Sequence, residues 1–173
     1  MSKTTGGVRN LSSGGTAYRN RIAEAAEMRA SGKYSSVTMA EKGTGYVAIE
    51  KSSAKHKPEE IEAAMHLANK GYKVVLGNES GQHKVSEGKL FLSTYEQRTP
   101  DGTSNNAQNI TSALRHGRDK RADIVVIYMK HGTHSRGDVE QGIKNYEAKS
   151  KYRFKEIIVI TKDGRFHHHK HDN

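Results

Sequence analysis

Three runs of β-branched residues stand out in the second half of the chain: YKVVLGN (Tyr72–Asn78), DIVVIYM (Asp123–Met129) and EIIVIT (Glu156–Thr161). They are apolar at successive positions, not at alternate ones. That pattern predicts strands buried on both faces, with helices covering the sheet. Helical spacing fills the intervals. Pro58 suits a first helical turn, Glu59 and Glu60 suit its positive end, and Ile61, Ala64, Met65 and Ala68 form an apolar stripe that ends at Gly71. A second helix is expected over Ala107–Arg121, with Ile110, Ala113 and Leu114 inward. A third is expected over Gly137–Lys149, with Val139, Ile143 and Tyr146 on one side. In KLFLSTYEQR (Lys89–Arg98) the apolar residues alternate, which predicts a more exposed, antiparallel strand. The stretches ESGQHKVSEGK and TPDGTSNN read as turns, and Lys162-Asp163-Gly164 turns the last strand into RFHHHKH.

The first third of the chain is organised differently. Residues 1–15 are rich in Gly, Ser and Thr and read as a flexible arm. Tyr18–Met28 has helical spacing (Ile22, Ala25, Ala26, Met28) and stops at Gly32. SSVTMAE and YVAIEKS flank KGTG, the signature of a hairpin too small to stand alone. The expected architecture is therefore α/β, a mixed central sheet flanked by helices. It comprises an arm (1–15), a helix and β-hairpin extension (16–54) and an α/β domain (55–173).

Charge narrows the partner. The 173 residues carry 29 Lys+Arg against 19 Asp+Glu, a net +10, with ten histidines besides. Such an excess favours a polyanion, bound through counterion release. With no cysteine, disulfides, thiol nucleophiles and thiolate metal sites are excluded. No stretch approaches the length of a membrane span, and MSKTTGGVRN has no signal-peptide core. A cytoplasmic protein is expected, or one delivered into another cell without a cleaved signal.

The chain contains no G-x-x-x-x-G-K-[ST], no G-x-G-x-x-G and no G-x-S-x-G, so nucleotide hydrolysis, dinucleotide redox chemistry and serine-hydrolase chemistry are not expected. Cationic and imidazole groups collect instead at the predicted strand ends. Metal-free RNA cleavage needs a base or orienting group for the 2′-hydroxyl, an acid for the leaving 5′-oxygen and cations for the phosphorane charge. The candidates are Glu96 as base or orienting carboxylate, His116 or His134 as acid, and Arg98 beside them. Arg115, Arg118, Lys120, Arg121, His131 and Arg136 are candidates for nucleic-acid contact. Each has a plainer reading: Glu96 with Arg98 as a surface ion pair, His116 as a solvated helix residue, His131-x-x-His134 as two histidines without a third zinc ligand. The HHHKH stretch reads as native, able to take up transition metals or to add pH-dependent charge.

HKPEEIEAAMHLANKGYKVVL, YEQRTPDG and KEIIVITKDG together resemble the nuclease-type C-terminal domains of bacterial polymorphic toxins. The group includes the CdiA-type tRNase domains of the barnase/EndoU/colicin/RelE-like superfamily. The resemblance spans about residues 55–166. Glu60, Ala64, Leu67, Ala68, Gly71 and Tyr72 match its opening helix and strand, and Glu96 falls at its acidic strand position. Arg98 stands where lysine is usual, and the preceding aspartate is missing. The resemblance implies a metal-independent ribonuclease acting as a toxin, with tRNA as a candidate substrate and a cognate immunity protein as a partner. Two alternatives stay open. One is a Mg²⁺-dependent, restriction-endonuclease-like DNA nuclease using Glu87, Glu96-Gln97-Arg98 and Glu60. The other is a non-catalytic binder that clamps phosphates with the helix Ala107–Arg121.

Overall fold

A computed structural model describes residues 15–51, 55–77, 83–86, 93–102 and 105–170. The expected arm lies almost wholly outside them. The chain divides into two compact units, Met1–His56 with Ala64–Leu92, and Lys57–Ala63 with Ser93–Asn173. The helix–hairpin segment 16–54 thus shares a unit with the second half of the 58–69 helix and the strands after it.

In the first unit, α1 (Thr16–Ala30) precedes a hairpin of β1 (Tyr34–Met39) and β2 (Tyr46–Glu50). Then come α2 (Pro58–Asn69), β3 (Lys73–Leu76) and β4 (His83–Ser86). β1 and β2 are antiparallel, β2 and β3 parallel, β3 and β4 antiparallel. Within the turn-rich stretch ESGQHKVSEGK the structure adds β4, since four residues suffice for a strand when a neighbour supplies the ladder. The hairpin packs on α2 and β3, as its size requires. Gly45 explains how closely, because a Cβ there would stand 2.2 Å from the Ala68 carbonyl oxygen and 2.4 Å from that of Tyr72. α1 is fastened by cations: Arg21 donates to the carbonyls of Thr44 and Gly71, and Arg29 to that of Val37. Its expected apolar face is only partly used, since Ala25 is buried while Ile22 is exposed. The stripe on α2 is likewise rotated. Ala63, Ala64, Leu67 and Ala68 are buried, and Ile61 is exposed.

The second unit starts with the first turns of α2 and continues through β5 (Ser93–Arg98), α3 (Asn106–Asp119), β6 (Ile124–Met129), α4 (Arg136–Lys149), β7 (Glu156–Thr161) and β8 (Phe166–Lys170). β5, β6 and β7 are parallel in that order, and β8 closes the row antiparallel to β7. One expectation is corrected. β5 pairs with β6 in parallel, not antiparallel, although its half-exposed face was foreseen. The histidine-rich segment, to which the sequence pattern assigned no element, forms the edge strand β8. The runs read as buried on both faces are so: every residue of β3 and β6 is buried, and all but the last of β7. The α/β class therefore holds, with mixed sheets and flanking helices. Among the described residues no helix is long and apolar enough to cross a membrane.

Strand alternation assigns the two sheet faces of this unit. Val125, Ile127 and Met129 pack with Ile110, Leu114, Val139, Ile143 and Tyr146 beneath α3 and α4. Tyr128 points the other way, and its hydroxyl donates to Glu62 of α2 at 3.0 Å. Two glycines let the helices come close. A Cβ on Gly117 would meet Val125 at 2.4 Å, and one on Gly142 would meet Ile110 at 2.7 Å. The Thr111 hydroxyl donates to the Gly142 carbonyl at 2.9 Å across the same crossing. α3 ends in a Schellman motif, Ala122 N–H to Gly117 O and Arg121 N–H to Arg118 O. Arg121 takes the left-handed position at φ 55, where glycine is usual.

Two stability changes of opposite sign are expected. Gly142→Val should lower unfolding stability by about 1–3 kcal/mol, because the added methyls overpack a helix crossing that has no room. Arg121→Gly should raise it by up to about 1 kcal/mol by relieving the backbone. Urea unfolding monitored by circular dichroism measures both, and a Gly142→Val variant as stable as the parent would contradict so tight a crossing.

Candidate active site

Of the residues nominated from the sequence, the structure brings two into direct contact. The His116 Nε2–H donates to Glu96 Oε2 at 3.1 Å, with the side chains 33 % and 24 % exposed. Their positions are set by the backbone. Glu96 is the register partner of Val125, and Val125 is the residue on which Gly117 seats α3. His116, next in sequence to Gly117, is thereby carried over the β5 side of the helix. Arg98 lies two residues beyond Glu96, hence on the same strand face, and is exposed.

The other α3 cations point elsewhere. At about 100° per residue, Arg115 lies about 100° around the helix from His116, and Arg118 about 160°. Arg118 pairs with Asp119 at 3.1 Å. Together with Arg121, Ser150 and Tyr152 these two residues line a hollow of about 410 Å³ on the α4 side. Lys120 is the C-cap residue of α3 and is exposed. The basic surface of α3 is therefore split by the width of the helix.

His131, His134 and Arg136 form a separate group. They come after β6, where the Asn106 side chain donates to the Thr133 carbonyl and, at 3.4 Å, to Asp138. Asn106 and His116 are ten residues apart on α3, about 15 Å along its axis. The two acid candidates thus sit at opposite ends of one helix, and His116 is the one beside Glu96. The loop is rigidly built. Ser135 and Asp138 form a capping box at the start of α4, with Ser135 N–H to Asp138 Oδ2 at 2.8 Å and Asp138 N–H to Ser135 Oγ at 3.1 Å. The Ser135 backbone donor, first among several hydrogen bonds, holds the Asp138 carboxyl below its usual range. Gly102 also abuts this loop, since a Cβ there would lie 2.2 Å from the His131 carbonyl oxygen. Arg136 is exposed and pairs with Glu140 at 3.4 Å. The His134 ring meets that of His167 edge-on at 4.9 Å between centroids. Burial, then the neighbouring His167, lower the His134 pKa.

The sequence reading missed a third cluster on the opposite sheet face. Glu62 accepts from the Tyr128 hydroxyl and, at 2.7 Å, from the Lys130 ammonium. Burial, and after it the Glu62 hydrogen bond and charge, push the Tyr128 phenol up to about 12. Tyr95 is fully buried, and its phenol is raised further by burial and by the charges of Glu60 and Glu96. Nothing in the sequence flags this cluster, because it joins residues more than sixty positions apart. The capping box was legible as Ser135-x-x-Asp138 ahead of an apolar stripe.

The sequence matches no protein-family model and no curated protein. Among solved structures it is similar to one described as a CdiA-CT/CdiI toxin and immunity complex from Burkholderia pseudomallei. The likeness has 19 % identity and a TM-score of 0.47, and it covers 70 % of this chain and 98 % of that one.

The Tyr128 phenol sets a testable pH signature. A group whose folded pKa is raised contributes stability that is fully present below the unfolded value near 10 and is lost as pH rises through about 12. Spectrophotometric titration at about 295 nm, where tyrosinate absorbs, should therefore show tyrosines ionising late, one fewer in Tyr128→Phe. An unchanged late phase in that variant would place the perturbed phenol elsewhere.

Proposed function

We propose that this chain is a metal-independent endoribonuclease domain of the toxin type, with the Glu96–His116 pair at its centre. The observation that carries the reading is their 3.1 Å hydrogen bond on a solvent-reachable face. A carboxylate bonded to one ring nitrogen fixes the imidazole tautomer and orientation. With Nε2–H directed at Glu96, Nδ1 becomes the working nitrogen. It takes the proton of the ribose 2′-hydroxyl as the 2′-oxygen bonds to phosphorus. The P–O5′ bond breaks, and the imidazolium returns the proton to the leaving 5′-oxygen. The products are a 2′,3′-cyclic phosphate and a 5′-hydroxyl, and no metal or water enters the step. Arg98, on the same strand face, offers charge to the phosphorane oxygens. The more distant side chains, Arg115, Arg118, Lys120, Arg121, His131 and Arg136, would track the backbone of a longer RNA.

The toxin component rests on the sequence resemblance, which also supports tRNA as substrate and an immunity protein as partner. A Mg²⁺ site shared by Glu96 and Glu60 is less well supported. Glu96 faces α3, whereas α2 bonds to the opposite face through Glu62 and Tyr128. Glu87 lies outside the described residues. The third reading, a phosphate clamp without catalysis, uses the same cations and is separated by experiment.

The decisive assay is incubation with total tRNA and with duplex DNA, each with Mg²⁺ and with EDTA. tRNA cleavage should survive EDTA, fall about 10²–10⁴-fold in His116→Ala, and fall substantially in Glu96→Gln. Full activity in both variants would remove the pair from the mechanism. DNA cleavage abolished by EDTA would transfer the protein to the Mg²⁺-dependent reading. Salt-sensitive binding with no cleavage would leave a nucleic-acid clamp.

A further inference from the structure

The pairing of His116 with Glu96 leaves His134 without a role in the proposed reaction, yet its surroundings are unusual. Its Nε2 is buried and has no hydrogen-bond partner among the described residues. An unsatisfied buried nitrogen costs free energy, and such groups in well-built proteins have a reason. The aromatic ring against it is another imidazole, His167 of β8, with centroids 4.9 Å apart and ring planes at 60°.

That spacing fits a shared ion. At a metal–nitrogen distance of about 2.05 Å, a ring centroid stands ~3.2 Å from the ion, so two imidazoles on a tetrahedral centre lie ~5.2 Å apart. We infer that His134 and His167 form a two-histidine site for a borderline divalent transition metal of the Zn²⁺ class, clamping β8 to the loop after β6. Solvent would complete the coordination. The charges around the pair are mixed: Asp138 favours a cation there, and Arg165 opposes one. Asp138 also ties the loop to α4, so the loop imidazole is already positioned. The strand imidazole is reachable from solvent, because His167 lines a groove of about 430 Å³ between α4 and β8 together with Arg136, Glu140, His168 and His169.

The neighbouring histidines do not share this geometry. His168 faces the other side of the sheet, where it bonds to the buried Glu156 at 2.6 Å. His169 lies on the His167 face but one full strand repeat away, about 6.6–6.8 Å. The site is thus a pairing of loop with strand and is distinct from chelation by consecutive histidines. It is also separate from the proposed reaction, since His116 is in the last turns of α3 and His134 is in the loop that Asn106 holds at the start of that helix.

Isothermal titration of the full chain with ZnCl₂, after EDTA treatment and dialysis, tests the inference. One site is expected. His134→Gln and His167→Ala should each weaken it at least tenfold, while the double variant His168→Ala/His169→Ala keeps it. Saturating Zn²⁺ should also raise the melting temperature of the parent chain and leave that of His167→Ala unchanged. His167 is on an edge strand, so this variant tests the site even if His134→Gln folds poorly. Undiminished affinity in both single variants, or its loss only in the His168/His169 double variant, would overturn the assignment. RNA cleavage is read separately: EDTA should remove the thermal shift without slowing the reaction, so either proposal can fail alone.

Discussion

The proposed reaction depends on one close approach, that of α3 to β6 at Gly117. Because position 117 has no side chain, the helix rests directly on Val125. Val125 is the register partner of Glu96, so whatever lies beside Gly117 on the helix is brought to the β5 face at that level. The residue there is His116. A bulkier side chain at 117 would lift the helix, and a 3.1 Å hydrogen bond at the helix margin would be the first contact to go. Gly142 and Thr111 act in the same direction from the other side by holding α4 against α3. The geometry of the pair is therefore a consequence of core packing, which places it on rigid elements and not on a loop.

The same packing explains why a strongly basic helix does not present a single basic surface. A helix seated so deeply buries one arc and leaves the rest divided. His116 comes out toward β5, Arg118 toward α4, and Arg115 between them on the solvent side. Net charge read from a sequence sums these positions, whereas a ligand meets them one face at a time. The charge of +10 is thus an argument about long-range attraction of a polyanion, and Arg98 is the nominated cation positioned on the face where the reaction is proposed.

The buried β6 and β7 strands and the inward residues of α3 and α4 were legible in the sequence, because burial on both faces and helical periodicity leave unambiguous patterns. The strand pairing was not. β5 looks like an antiparallel strand because its outer face is half-exposed, yet it is the first of three parallel strands, and exposure reports position in a sheet, not direction. β4 and β8 were missed for a related reason: short, polar strands owe their conformation to a neighbour's backbone, not to their own propensity. Glu96 and His116 could be nominated separately, from strand-end placement and residue type. Their contact, twenty positions apart, required the register of β5 on β6 and the seat of Gly117.

Among the described residues of the second unit, local rules are broken near each end of α3. Arg121 adopts a backbone conformation suited to glycine, and His134 holds a buried ring nitrogen without a partner among the described residues. Each costs stability that a simple substitution would recover, and sequences under selection for folding alone tend to lose such defects. The first retains a cation beside a polar hollow, the second an imidazole 4.9 Å from another. Both fit a protein whose surface serves charged ligands, a polyanion along the helix and a metal ion at the strand edge. In this reading the helix has a stable centre, where glycines and branched residues fix the Glu96–His116 pair, and ends whose less favourable residues are kept for what they bind.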